Sequence, residues 1–158
     1  LPIYLLRVIM RSNSLSVDLP ISAPASQVWD AIADWQGQSN WMLQTKVFLT
    51  SKESTGVGVT IEAFTGPLYR FYPRFAWLGV LDLMRVTHWQ PPVRCDVIHY
   101  GKIIKGTGTF EVESVGEQSS IFHWSEEIAA PKLIFLLIKP FILTGVKISL
   151  SRFRRLLE

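Results

Sequence analysis

Residues 82–127 constrain the fold of this chain more than any other stretch. They read DLMRVTHWQPPVRCDVIHYGKIIKGTGTFEVESVGEQSSIFHWSEE, a run of strands joined by three antiparallel hairpin connections. The turns set a register. Tyr100-Gly-Lys-Ile103 fits a two-residue type II′ turn, which pairs His99 with Ile104 and Val97 with Gly106. Ser114 to Gln118 fits a three-residue loop centred on Gly116, which pairs Phe110 with Phe122 and Gly106 with Glu126. One face then carries Met84, Val86, Val97, Phe110, Phe122 and Trp124, together with His88, His99 and Glu126. An apolar concave sheet with a few inward polar groups has the make-up of a small-molecule pocket.

The same register predicts a row of Val97, Gly106 and Glu126 across three strands. His99 falls one step along, two strands from Glu126, with backbones on the order of 10–12 Å apart. A ligand or water would bridge the two side chains, which are not expected to touch. Gly106 and Gly108 lie between these inward residues. Glycine in mid-strand implies a hollow above the sheet or a bend in it.

Composition narrows the class. At 158 residues the chain has the length of one domain, and 48% hydrophobic content supports a full core. Six Trp and nine Phe fit a pocket lining or a heavily aromatic core. The single cysteine, Cys95, excludes an internal disulfide and a cysteine zinc site, and His88, His99 and His123 have no metal spacing. No metal and no cofactor is implied. The net charge of +3 gathers partly in Arg152, Arg154 and Arg155, where it complements a helix C-terminus, and nucleic acid is not expected as a partner.

Residues 14–21 alternate as a half-buried strand, with Leu15, Val17, Leu19 and Ile21 on one side. Pro24 sits in the first turn of a helix whose apolar spacing is Val28, Trp29, Ile32 and Trp35. Gly37 breaks it, and a second short helix over 39–43 carries Trp41 and Met42. Strands are predicted over 46–51 and 57–64, the second carrying Ile61. Residues 65–79 form an aromatic loop that either packs on itself or acts as a lid or membrane contact.

Residues 131–157 form a long helix. Ile142, Val146, Leu150, Phe153 and Leu157 mark one face, and Lys147, Ser151, Arg154 and Glu158 another. Its first part, LIFLLIKPFIL, is apolar almost all round, so it covers a pocket entrance or rests on a membrane surface. Lys132, Lys139, Pro140 and Lys147 argue against a membrane span. Residues 1–13 are read as an N-terminal extension and 14–158 as the domain. The apolar start, LPIYLLRVI, is too short to span a bilayer and lacks a signal-peptide cleavage pattern, so a cytoplasmic protein is expected, with peripheral membrane contact open.

Three stretches together resemble the START-like, helix-grip superfamily, and within it the bacterial polyketide cyclase/dehydrase-like SRPBCC group. They are VDLPISAPASQVWDAIADWQGQSNWM, VTHWQPPVRCDVIHYGKIIKGTGTFEV and FHWSEE, placed before a final helix. The resemblance runs from about Leu15 to Leu157 and departs at the long aromatic loop over 65–79. It implies an α+β fold: a curved seven-stranded antiparallel sheet around a long C-terminal helix, with two short helices and a hydrophobic cavity between sheet and helix. Superfamily members bind lipids, sterols, quinones or polyketides, and some catalyse cyclisation or dehydration.

The expected ligand-binding set is Trp41, Met42, Ile61, Met84, Val86, His88, Val97, Gly106, Gly108, Phe110, Phe122, Trp124, Ile142 and Val146. Glu126 and His99 are the candidate acid–base pair, because burial beside Trp124 would raise the Glu126 pKa. The plain alternative pairs Glu126 with a helix cation and leaves His99 hydrogen-bonded within the sheet. Asp82 and Arg94 are read as exposed and His123 as outward-facing. Three functions follow: carriage of a hydrophobic small molecule, a cyclase/dehydratase-type reaction, and a peripheral membrane or protein-interaction role through residues 69–77 and the last helix.

Overall fold

The computed structural model describes residues 11–158. Most of the expected N-terminal extension lies outside the described residues. Seven strands form one antiparallel sheet: β1 (Arg11–Ile21), β2 (Thr45–Leu49), β3 (Thr60–Thr65), β4 (Val80–Gln90), β5 (Arg94–Tyr100), β6 (Lys105–Gly116) and β7 (Ser119–Ala130). Their order across the sheet is β1-β7-β6-β5-β4-β3-β2. The hairpin strands from β2 to β7 are each hydrogen-bonded to the next, and β1 closes on β7. Between β1 and β2 the chain forms α1 (Ala25–Ala33) and a 3-10 turn over Gln36–Asn40, and it ends in α2 (Lys132–Leu157). The fold is the expected helix-grip architecture.

Alternation puts one apolar face of the sheet into the core. Leu15, Ile61, Met84, Val86, Val97 and Phe122 are buried there, and Phe110 and Trp124 pack against them. From α1, Val28, Trp29 and Ile32 close over this face. The C-terminal half of α2 completes it. Phe153 lies 4.7 Å from Trp41 and 5.8 Å from Phe122 between ring centroids. Ser149 Oγ accepts a 2.9 Å hydrogen bond from the backbone N–H of Leu43 and donates to the Gly145 carbonyl, pinning α2 to the start of β2.

Local details depart from the sequence reading. The second short helix lies over Gln36–Asn40, with Gly37 inside it, and the first helix ends earlier than expected, at Ala33. Pro24 is the N-cap of α1, one residue before its first turn. Both predicted hairpin pairings are displaced by two residues. Tyr100 pairs with Lys105, leaving a four-residue loop over 101–104, and Val97 pairs with Gly108. Phe110 pairs with Trp124, and the second turn is Glu117-Gln118 after an irregularity at Val115. A shift of two preserves the side-chain alternation, so the predicted face survives while every cross-strand neighbour changes.

The aromatic loop between β3 and β4 is packed at one residue and open at others. Tyr72 stacks on Phe64 at 4.5 Å and meets Phe48 at 5.4 Å, so the loop packs back on the sheet. Phe71 and Trp77 remain exposed.

Candidate functional site

The corrected register explains the central polar cluster. Val97, Gly108, Glu126 and Leu15 form one row, and His99, Gly106 and Ile128 the next. Strand β6 offers only glycine between β5 and β7 at these positions. The Glu126 side chain therefore leans across β6, and its Oε2 lies 2.8 Å from His99 Nε2. A Cβ on Gly108 would sit 2.9 Å from Glu126 Oε1 and 3.2 Å from Val97 Cγ2. The space expected above the glycines is thus filled by the Glu126 carboxylate. The expectation that His99 and Glu126 do not touch is corrected. Gly106, at φ +142°, has a separate cause: a Cβ there would run into the Glu127 carbonyl.

Asp82 is the member that sequence reasoning placed wrongly. It was expected at an exposed strand mouth, yet its carboxylate oxygens lie 2.8 and 2.9 Å from His99 Nδ1. The pairing of Met84 with His99 across β4 and β5 sets Asp82 one same-face step away. His99 is 5% exposed at its side chain, Glu126 13% and Asp82 16%.

Each ring nitrogen of His99 faces a carboxylate oxygen, and with both carboxylates ionised each nitrogen donates and the ring is imidazolium. Burial alone would lower the His99 pKa. The hydrogen bonds and charges of Asp82 and Glu126 outweigh it and push the value up to about 10. Burial raises the Glu126 pKa against the opposing pull of His99. Glu126 Oε1 has no hydrogen bond to any described residue. The cluster is a held proton between two carboxylates, with one carboxylate oxygen left to accept from something else.

His88 does not join this face. A bulge between Val86 and His88 reverses the alternation, and His88 is exposed beside Gln90. Trp89 turns inward in its place and meets Trp29 at 5.1 Å and Trp35 at 6.2 Å. Arg94 is exposed, as expected, and is paired with Asp96 at 2.9 Å. His123 faces outward, as alternation predicts, and bridges Asp18 and Glu113 at 2.7 and 2.9 Å. Cys95 is buried, which pushes its thiol up to about 12 and leaves it unreactive.

Of the expected lining residues, Ile61, Met84, Val86, Val97, Phe110, Phe122 and Trp124 share the inner face with His99 and Glu126. On α2, Val146 packs against the core and Ile142 is half-buried. Trp41 belongs to the core and Met42 packs against it, and each also borders an open groove. One, of 390 Å³, adds Ser39, Asn40, Lys46, Tyr69, Arg70 and Arg152. The other, of 150 Å³, lies against Phe153 and Leu157. The indole N–H of Trp41 is buried without a partner among the described residues.

A curled seven-stranded antiparallel sheet gripping a long C-terminal helix, with a polar cluster on its inner face, is the START-like, SRPBCC-type fold. No protein-family model and no curated protein matches the sequence. Solved structures do match. A START superfamily protein from Mycobacterium smegmatis has a TM-score of 0.70 at 10% identity, covering 90% of this chain and 98% of that one. The Zhui aromatase/cyclase from Streptomyces sp. R1128 has a TM-score of 0.69 at 10% identity, covering 91% and 92%. The Aha1 dimer from Colwellia psychrerythraea has a TM-score of 0.67 at 16% identity, covering 92% and 96%. At these identities the likeness is one of fold.

Proposed function

We propose that the protein binds a hydrophobic small molecule, of lipid, quinone or polyketide type, between the inner face of the sheet and α2. The observation that carries this reading is the Asp82–His99–Glu126 cluster, set in an apolar face with the Glu126 Oε1 acceptor unused. An apolar surface with one directed polar group binds by burial and orients by hydrogen bond. Glu126 Oε1 would accept from a ligand hydroxyl, while His99 fixes the carboxylate. The test is native, then denaturing, mass spectrometry of the purified protein, followed by titration with hydrophobic probes. A bound organic molecule, or saturable probe binding weakened by Glu126→Gln in a protein that still folds, is the expected result. An empty protein that refuses every probe sinks the reading.

The direct His99–Glu126 contact supports a second reading, in which this pair moves a proton during cyclisation or dehydration of the bound molecule. His99, held as imidazolium, is then the donor and Glu126 the acceptor. In that case Glu126→Gln preserves binding and stops conversion. If the ligand recovered from wild type and variant has the same mass, no conversion takes place and carriage stands alone.

Peripheral membrane contact has its own support in α2. The helix is long and apolar enough to cross a membrane by length and composition, with mean hydropathy 2.0 over its most apolar window and only 11% of that window buried. Leu133, Leu137 and Phe141 are 72%, 65% and 78% exposed, next to Lys132 and Lys139. Ser149, Leu150 and Phe153 hold the other half in the core, so the folded protein would meet a bilayer at its surface.

A further inference from the structure

The 390 Å³ groove beside the aromatic loop has a lining unlike the inner face. Lys46 of β2, Arg70 of the β3–β4 loop and Arg152 of α2 meet there, and no acidic residue lines it. None of the three cations forms an ion pair with a described residue. With no carboxylate in the lining, an anion entering the groove has no competitor for the three cations.

Side-chain geometry gives the groove a consistent polarity. Arg70 Nε donates to Tyr69 Oη at 3.1 Å, and the guanidinium lies over the Tyr69 ring at 5.6 Å. This orients the fork and leaves its two terminal nitrogens free to donate. The Lys46 ammonium is 5.1 Å from the Phe48 ring centroid, steadied by a cation–π contact that consumes no donor. Ser39 Oγ accepts from the Val47 backbone N–H at 2.9 Å, so its own hydrogen is available. Tyr69 Oη likewise accepts from Arg70 and keeps its hydrogen. The groove therefore presents cations and hydroxyl donors with no competing carboxylate. A group with several acceptor oxygens and a double negative charge matches that pattern.

We infer that this groove, with Lys46, Arg70 and Arg152 as its cationic contacts, is a binding site for a phosphoryl group. The group comes either from a soluble phosphate monoester or from the headgroup of an acidic phospholipid. This site is separate from the inner-face cluster, and its test is independent of any hydrophobic ligand.

The experiment is titration of the protein with inorganic phosphate and with glycerol phosphate, read by calorimetry and by the arginine side-chain N–H signals in NMR. Saturable binding is expected, weakened roughly tenfold by Arg70→Gln and again by Arg152→Gln. Lys102→Gln makes the same change in net charge in the β5–β6 loop, outside the groove, and is expected to leave affinity unchanged. Thermal melts confirm that each variant folds. Absence of saturable binding, or an equal loss in Lys102→Gln, overturns the inference, because only the overall positive field would then be at work. Vesicles of phosphatidylcholine with and without phosphatidic acid separate the two sources. Arg70-dependent flotation with phosphatidic acid, not displaced by glycerol phosphate, assigns a lipid headgroup, and displacement assigns the soluble ester.

Discussion

Glu126 reaches His99 across a strand that has no side chain to stop it. Gly108 is the residue that decides this, since a methyl group there would press on both Glu126 Oε1 and Val97 Cγ2. Gly108→Ala is expected to push the carboxylate off His99 and cost about 1–3 kcal/mol of stability, the usual loss for a buried charged hydrogen bond. Denaturant unfolding measures the loss, and the His99 imidazole shift in NMR should show its pKa falling toward the ordinary value. Stability also reports on the held proton. The His99 pKa is raised to about 10 in the folded protein against 6.5 in the unfolded chain, so its contribution is fully present below pH 6.5. Above that the native state holds a proton that the unfolded state has lost. Stability should therefore decline as pH rises toward 10, with a slope approaching about 1.4 kcal/mol per pH unit from this one proton. Glu126, also raised, acts with the same sign. A flat unfolding free energy between pH 7 and 9.5 would show that His99 is neutral. The residue types of this cluster were legible in the sequence, and Glu126 and His99 were placed on the correct face. Their contact, and the membership of Asp82, were not. The displacements of β6 against β5 and β7 cancel, so His99 and Glu126 stand one same-face step apart as the turns predict, and their contact comes from the Glu126 side chain leaning over Gly108; Asp82 joins through the β4–β5 pairing.

Helix α2 is two different elements joined end to end. Its second half is an ordinary core helix, with Leu150 and Phe153 buried and Ser149 tied to Leu43. Its first half buries Phe135 and presents apolar side chains to solvent. The two halves should answer mutation oppositely. Phe153→Ala is expected to cost about 3–5 kcal/mol, because the ring fills the space between Trp41 and Phe122. Leu137→Ser should change stability by no more than about 0.5 kcal/mol, since it breaks no packing. If the exposed half meets a bilayer, the same substitution lowers flotation with acidic vesicles, while unchanged flotation excludes this face as the contact. The apolar breadth of the segment could be read from the sequence. Which half would be left uncovered could not, because hydropathy records what a helix would prefer to bury and not what the sheet can reach. The β4 bulge shows the same limit in a strand. Alternation put His88 inward, and one extra residue exchanged it for Trp89.

At the scale of the molecule, strand count, order of elements and the gripping helix follow from the sequence, because they depend on patterns that tolerate small errors. Period-two alternation marks a face whatever the exact partner, and a long apolar helix after the last strand has one sheet to pack on. Tertiary structure alone decided which polar groups meet. The Asp82–His99–Glu126 cluster needs three strands in one register and a glycine strand between them. The cationic groove needs β2, the β3–β4 loop and α2 brought to one edge, with Lys46 and Arg152 more than one hundred residues apart in the chain. Secondary structure is written locally and survives a slip of two residues. A site is written in side-chain distances of about 3 Å, which depend on how far each side chain reaches over its neighbours, and alternation does not record that.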